Sequence, residues 1–136
     1  MENLNTYENL DLQPIGGQWR KGSSPRNLDV LNPYSGETLL SLPMANQADL
    51  DEAYQAAEKA QPAWAALGPT ARGDILRRVV DLFDARKAEI IDWLIRESGS
   101  TRLKAEIEWG SARGIIQESA SFPGRMHGRI LPSDIP

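Results

Sequence analysis

Apolar residues change their spacing once along this chain. From Ile15 to Leu42 they come in short runs broken by turn formers: Gly16-Gly17, then Lys21-Gly22-Ser23-Ser24-Pro25, then Asn32-Pro33-Tyr34-Ser35-Gly36. This pattern predicts strands joined by turns. Leu28 and Val30 alternate with polar neighbours, Pro33 presets the φ of a turn position, and Gly36 is free to take positive φ, so a hairpin is expected from about Leu28 to Leu42.

Beyond Leu42 the period becomes helical. Asn46 is placed to cap a helix, Asp49 sits near its positive end, and Leu50, Tyr54, Ala57 and Ala60 share a stripe. Pro62 is expected to end this helix, with Trp64 and Leu67 folding back as an anchor before Gly68-Pro69. Thr70 then caps a second helix, whose wide apolar face is Ile75, Leu76, Val79, Val80 and Phe83. A further stripe, Ile90, Ile91, Leu94 and Ile95, runs to Gly99, a left-handed terminator, and either continues the second helix or restarts after Arg86. The last helix is expected from Leu103 to about Phe122. It carries Leu103, Ile107, Ser111 and Ile115 on one side, and Gly110 and Gly114 read as packing positions. Pro123-Gly124 stops it, and the tail from Arg129 to Pro136 reads as the start of an extended segment.

A length of 136 residues suits one domain with one core, burying roughly two thirds of the surface its unfolded chain exposes. With 40% hydrophobic and 25% charged residues the composition is that of a soluble globular protein and not of a disordered one. Net charge is −4 and the basic residues form no stripe, which argues against nucleic acid as a partner. Apolar runs are far shorter than the roughly 20 residues of a membrane span, and the N-terminus lacks a signal or transit pattern, so the expected location is the cytoplasm, without membrane contact.

Candidate chemistry is sparse. His127 is the sole histidine, so neither a histidine metal site nor a Ser-His-Asp triad can be built from this chain, and it reads as a turn residue hydrogen-bonded to backbone. Glu106 with Glu108, or Asp81 with Asp84, offers carboxylate pairs of a kind common on helical faces, and Asp81, Asp84 and Glu89 interleave with Arg77, Arg78, Arg86 and Lys87 as solvated ion pairs do. No G-x-G-x-x-G and no phosphate-binding P-loop is present. Trp19, Trp64, Trp93 and Trp109 are scattered over separate elements, as core and interface anchors are. There is no cysteine.

The run Ile15-Gly-Gly-Gln-Trp-Arg-Lys-Gly-Ser-Ser24 followed by Leu31-Asn-Pro-Tyr-Ser-Gly-Glu37 resembles the opening hairpins of the aldehyde dehydrogenase superfamily. Further matches follow in order: Pro62-Ala-Trp-Ala-Ala-Leu67, Ile75-Leu-Arg-Arg78, Arg96-Glu-Ser-Gly99 and Met126-His-Gly-Arg-Ile-Leu-Pro132. Ser35 stands where the family usually has Thr, and Ser100-Thr101 where it has Lys-Pro.

The resemblance implies an α/β protein in which this segment is part of a Rossmann-like cofactor-binding domain, mainly α-helical with an N-terminal antiparallel hairpin region. Residues 1–13 would be an N-terminal arm, 14–45 the hairpins, 46–126 the helices and 127–136 the start of an extended segment. It implies oxidation of an aldehyde to an acid with NAD or NADP: a cysteine thiolate attacks the carbonyl, the carbon of that adduct gives its hydride to the nicotinamide, and water hydrolyses the resulting thioester with help from a glutamate. A chain without cysteine is then expected to be inactive alone and to bind no dinucleotide. Its partners would be the remainder of the enzyme, homo-oligomer subunits and the aldehyde. By position, the resemblance places Glu108, Ser111, Ala112 and Ile115 beside the aldehyde channel, and the wording from Glu118 to Arg129 is closest to members acting on benzaldehyde or vanillin. The competing reading is a stand-alone helical module that binds a protein partner without catalysis.

Overall fold

A computed structural model describes residues 7–128 together with Leu131. The expected extended tail from Arg129 to Pro136 therefore falls, but for Leu131, outside the described residues. Two small antiparallel sheets come first: β1 (Gln13–Ile15) pairs with β2 (Gln18–Arg20), and β3 (Asn27–Leu31) with β4 (Thr38–Pro43). Gly16 and Gly17 both have positive φ, 61° and 80°, which is the demand of a two-residue type I′ hairpin. In the second hairpin Gly36 takes φ 73°, its N–H reaches the Asn32 carbonyl, and the Asn32 side chain accepts the Tyr34 and Ser35 amides. Ser35 caps the same turn by accepting the Glu37 N–H.

Four helices follow: α1 (Gln47–Ala66), α2 (Pro69–Ala85), α3 (Lys87–Ser98) and α4 (Arg102–Ser119), closed by a 3-10 turn at Phe122–Arg125. Several expectations are corrected here. Helix α1 runs through Pro62 to Ala66. Every residue from Ala57 to Ala71 is exposed, so water can take the carbonyl that Pro62 leaves unbonded. Trp64 does not fold back: it lies in the helix, 43% exposed. Thr70 is not the cap of α2. Gly68 is, with Pro69 in the first turn, where its missing N–H costs nothing. The open choice at Arg86 resolves as a restart, since that residue ends α2 and begins α3. Gly99 ends α3 in the left-handed region as expected, and Thr101 caps α4 by accepting the Lys104 N–H, a bond that Pro at its position would not offer.

The buried faces also differ from the stripes read from sequence. On α1 the half-buried positions are Ala53 and Ala56, beside buried Asp49, while Leu50 and Tyr54 are 48% and 70% exposed. On α4 the packed face is Ala105, Trp109, Ala112, Ile116 and Ala120, while Leu103, Ile107 and Ile115 face outward. Gly110 and Gly114 are not packing positions within this chain, because a methyl group added at either would meet nothing within 4 Å. Where close approach does occur is Gly73, whose hypothetical Cβ stands 2.7 Å from the Ala120 carbonyl oxygen.

Helix α4 thus lies antiparallel on α2. Near the other end of the pair, Phe83 stacks on Trp109 with ring centres 5.9 Å apart, the Trp109 Nε1–H donates to the Phe83 carbonyl, and Arg113 holds Asp84 through two hydrogen bonds. Among the described residues the buried apolar ones are few: Ile15, Val80, Ile91, Ala105 and Ala120. No large side chain among them is fully sealed. Among the described residues no helix is long and apolar enough to cross a membrane.

Candidate functional site

Helices α2, α3 and α4 enclose an open groove of about 500 Å³. Its apolar wall is Phe83, Ile90, Leu94 and Trp109, and its rim carries Lys104 and Glu108, joined as an i,i+4 ion pair. Lys104 also donates to the Ser100 hydroxyl. Of the four residues that the sequence places beside an aldehyde channel, Glu108 and Ala112 line this groove. Ser111 and Ile115 do not: they stand exposed on the adjoining side of α4, the consequence of 100° per residue along one helix. A neighbouring groove of about 560 Å³ shares Ile90 and Leu94 and is bounded by Tyr7 and Trp93. The Tyr7 amide donates to Glu89, which ties the N-terminal segment onto α3.

Asp84 is taken up by Arg113, whose hydrogen bonds hold its carboxyl below the usual carboxylate range. Glu108 is paired with Lys104. His127 lies exposed just after the 3-10 turn. Among the described residues no group of three His, Cys, Asp or Glu could hold a metal ion. The described residues also do not fit a dinucleotide: among them both sheets are two-stranded and antiparallel, so no parallel β-α-β crossover supplies a crevice, and no glycine-rich turn opens a helix.

One cluster escaped the sequence reading. Asp49, 3% exposed, accepts the backbone amides of Ser23 (2.7 Å) and Asn46 (3.0 Å), the Ser23 hydroxyl (2.9 Å) and Arg20 Nη1 (2.8 Å). The two backbone amides do most to hold its carboxyl well below the usual range, against the opposing effect of burial. Arg20 also grips Glu52 at 2.6 Å. The cluster latches the first hairpin to the N-terminus of α1. Its local half, the reciprocal bonds of Asn46 and Asp49, is a capping box and was readable from the spacing, whereas Arg20 and Ser23 are distant in sequence.

Known proteins share much of this sequence and its fold. A vanillin dehydrogenase of Corynebacterium glutamicum is 49% identical over 122 residues, covering 90% of this chain and 25% of the relative. A benzaldehyde dehydrogenase of Bacillus subtilis, YfmT, is 44% identical over 129 residues, 95% of this chain and 27% of its own length. The crystal structure of an NAD-dependent benzaldehyde dehydrogenase from Corynebacterium glutamicum superposes with a TM-score of 0.89 at 45% identity, covering 98% of this chain and 29% of that one. The chain spans about a quarter of the length of the curated relatives it matches. The family model described as the aldehyde dehydrogenase family matches residues 19–136, and on these grounds the chain belongs to the aldehyde dehydrogenase family.

Proposed function

We propose that this chain is the N-terminal portion of an NAD(P)-dependent aldehyde dehydrogenase that oxidises an aromatic aldehyde to its carboxylic acid. Residues 14–136 would form the first part of a Rossmann-like cofactor-binding domain, preceded by an arm at residues 1–13. The observation that carries the proposal is the match over nearly the whole chain to relatives named for vanillin and benzaldehyde, together with a complete lack of cysteine. Thioester-forming aldehyde oxidation needs a thiolate. That sulfur, the nucleotide cradle and the water-activating carboxylate would come from polypeptide that these residues do not include, and the enzyme would work in the cytoplasm as a homo-oligomer.

Within that enzyme the chain's task is shape. Helix α4 would present Glu108, Ser111, Ala112 and Ile115 to the aldehyde channel, with Phe83 and Trp109 fixing the helix by their stack and by the indole hydrogen bond. A rigid helix is a suitable wall because a misplacement of one ångström in a reacting aldehyde is costly in rate. The extended match to the family weighs against a stand-alone interaction module.

The test is to assay NAD and NADP reduction with benzaldehyde and vanillin, using the 136-residue chain and the longer protein from the same reading frame. The longer protein is expected to turn over and the chain is not. Turnover by the chain alone, or a longer protein that lacks a catalytic cysteine, would overturn the reading.

A further inference from the structure

Helix α3 is short and begins without a side-chain cap. Its 12 residues make about three turns, too few to hold together in water without tertiary contacts. The third residue of the helix is Glu89, the place from which a carboxylate ordinarily reaches back to the amide of the capping residue. Here the capping residue is Arg86, and its amide is already bonded to the Leu82 carbonyl, because α2 ends at that same residue. Glu89 is left with both oxygens to offer, and the structure fills both. Arg86 Nη1 donates to one at 2.8 Å, and the backbone N–H of Tyr7 donates to the other at 2.8 Å.

Residues 7–12 lie between two anchorages. At the far end Lys21 Nζ meets Asp11 at 2.8 Å, and Gln13, where β1 begins, donates its side-chain amide to the Pro43 carbonyl at 2.6 Å. At the near end, beside the Glu89 bond, the Arg86 guanidinium stands 5.9 Å from the centre of the Tyr7 ring. Between the two, Tyr7 and Leu10 line one groove with Leu82, Ile90, Trp93 and Leu94. The attachment thus falls at the residue where α2 and α3 part. Ile90 and Leu94 also wall the other groove, beside Phe83 and Trp109, so whatever fixes α3 on this side fixes that wall too.

We infer that residues 7–12 are a strap: they tie the α2–α3 junction at Arg86 to the first hairpin and so hold α3 in place as a wall of the groove. The test is hydrogen–deuterium exchange of the longer protein, comparing the wild type with a version that lacks residues 1–10 and with Tyr7→Ala. Exchange in residues 87–98 is read against residues 27–43 as the internal reference. Loss of the strap is expected to speed exchange in 87–98 several-fold and to leave 27–43 as it was, since a helix with few buried contacts opens locally. Tyr7→Ala, which keeps the backbone donor and removes the ring, is expected to give a smaller rise in the same segment. Unchanged exchange in 87–98 after removal of the strap overturns the inference, and so does an equal rise in both segments, which is general destabilisation. Should the shortened protein fail to fold, Tyr7→Ala decides by the same two readings. The inference uses the proposed function only in taking the longer protein as the sample. Aldehyde oxidation by that sample is read separately: its absence sinks the proposed function and leaves the exchange comparison intact.

Discussion

Separating this chain from the polypeptide proposed to cover it should leave a protein that cannot stay monomeric. The structure supplies the magnitude. Its accessible surface is 10597 Å², whereas a compact monomer of 15.1 kDa would expose about 7,100 Å². The excess, about 3,500 Å² on one side, is far above the roughly 800 Å² per partner of a standard interface and falls among obligate ones. Even half of it would exceed the standard figure. Large apolar side chains stand exposed on the helices: Leu50, Tyr54 and Trp64 on α1, and Leu103, Ile107 and Ile115 on α4, each between 43% and 70% exposed. Burying one such side chain contributes roughly 1.5 to 3 kcal/mol, against a typical domain stability of about 5 to 15 kcal/mol, so a few of them outweigh the margin. The 136-residue chain is therefore expected to elute from size-exclusion chromatography as an oligomer or aggregate, to bind a hydrophobic dye, and to melt without a sharp transition. The longer protein should do none of these except form a defined oligomer. A monomeric chain with a cooperative melt at high temperature would refute the reasoning and favour an autonomous module.

Other outcomes are expected of the longer protein. Gly73→Ala should lower its melting temperature although Ala is the better helix former by about 1 kcal/mol, because the new methyl lands 2.7 Å from the Ala120 carbonyl and overpacking costs about 1–3 kcal/mol; a rise would show that the α2–α4 contact yields easily. Asp49 has its carboxyl held below the usual 3.8, so the latch contributes fully at neutral pH and weakens as pH falls through the ordinary carboxylate range. The melting-temperature gap between wild type and Asp49→Asn should then be largest near neutrality and narrow in acid, and a gap that widens in acid would contradict this sign. Ser111→Phe should raise the Michaelis constant for vanillin more than for a small aliphatic aldehyde. Michaelis constants left unchanged for both aldehydes would remove Ser111 from the channel.

Much of the local structure was legible because it depends on a residue's own backbone. Gly36 and Gly99 adopt the positive φ that their places after Asn32-Pro33 and after an apolar helical stripe foretold. Asn46 caps α1 through atoms three residues away. The capping role of Thr101 follows the same logic, though the helix begins at Arg102, one residue before the expected Leu103. Misreadings came where local rules meet several permissible outcomes. Pro62 weakens a helix without always ending it, and Gly68-Pro69 is as good a beginning as Thr70.

The candidate site divides in the same way. Glu108 and Ala112 reach the groove because α3 lies across α4 there, and no spacing within α4 distinguishes them from Ser111 and Ile115. Asp49 could be seen as the end of a helix, but its buried role needs Arg20, which lies 29 residues earlier.

By itself, then, the sequence determined most of the turns, that amphipathic helices follow a strand-and-turn region, and which family the chain resembles, since each rests on short-range sterics or ordered motifs; whether the chain breaks at Arg86 it left open. Only the tertiary structure decided which face of each helix is buried. Helices α1 and α4 both carry apolar or small residues on more than one side, so the choice between Ala105-Trp109-Ala112 and Leu103-Ile107-Ile115 is made by the neighbour that packs against them. Periodicity measures the stripe, and the packing partner is a distant segment that the stripe does not name.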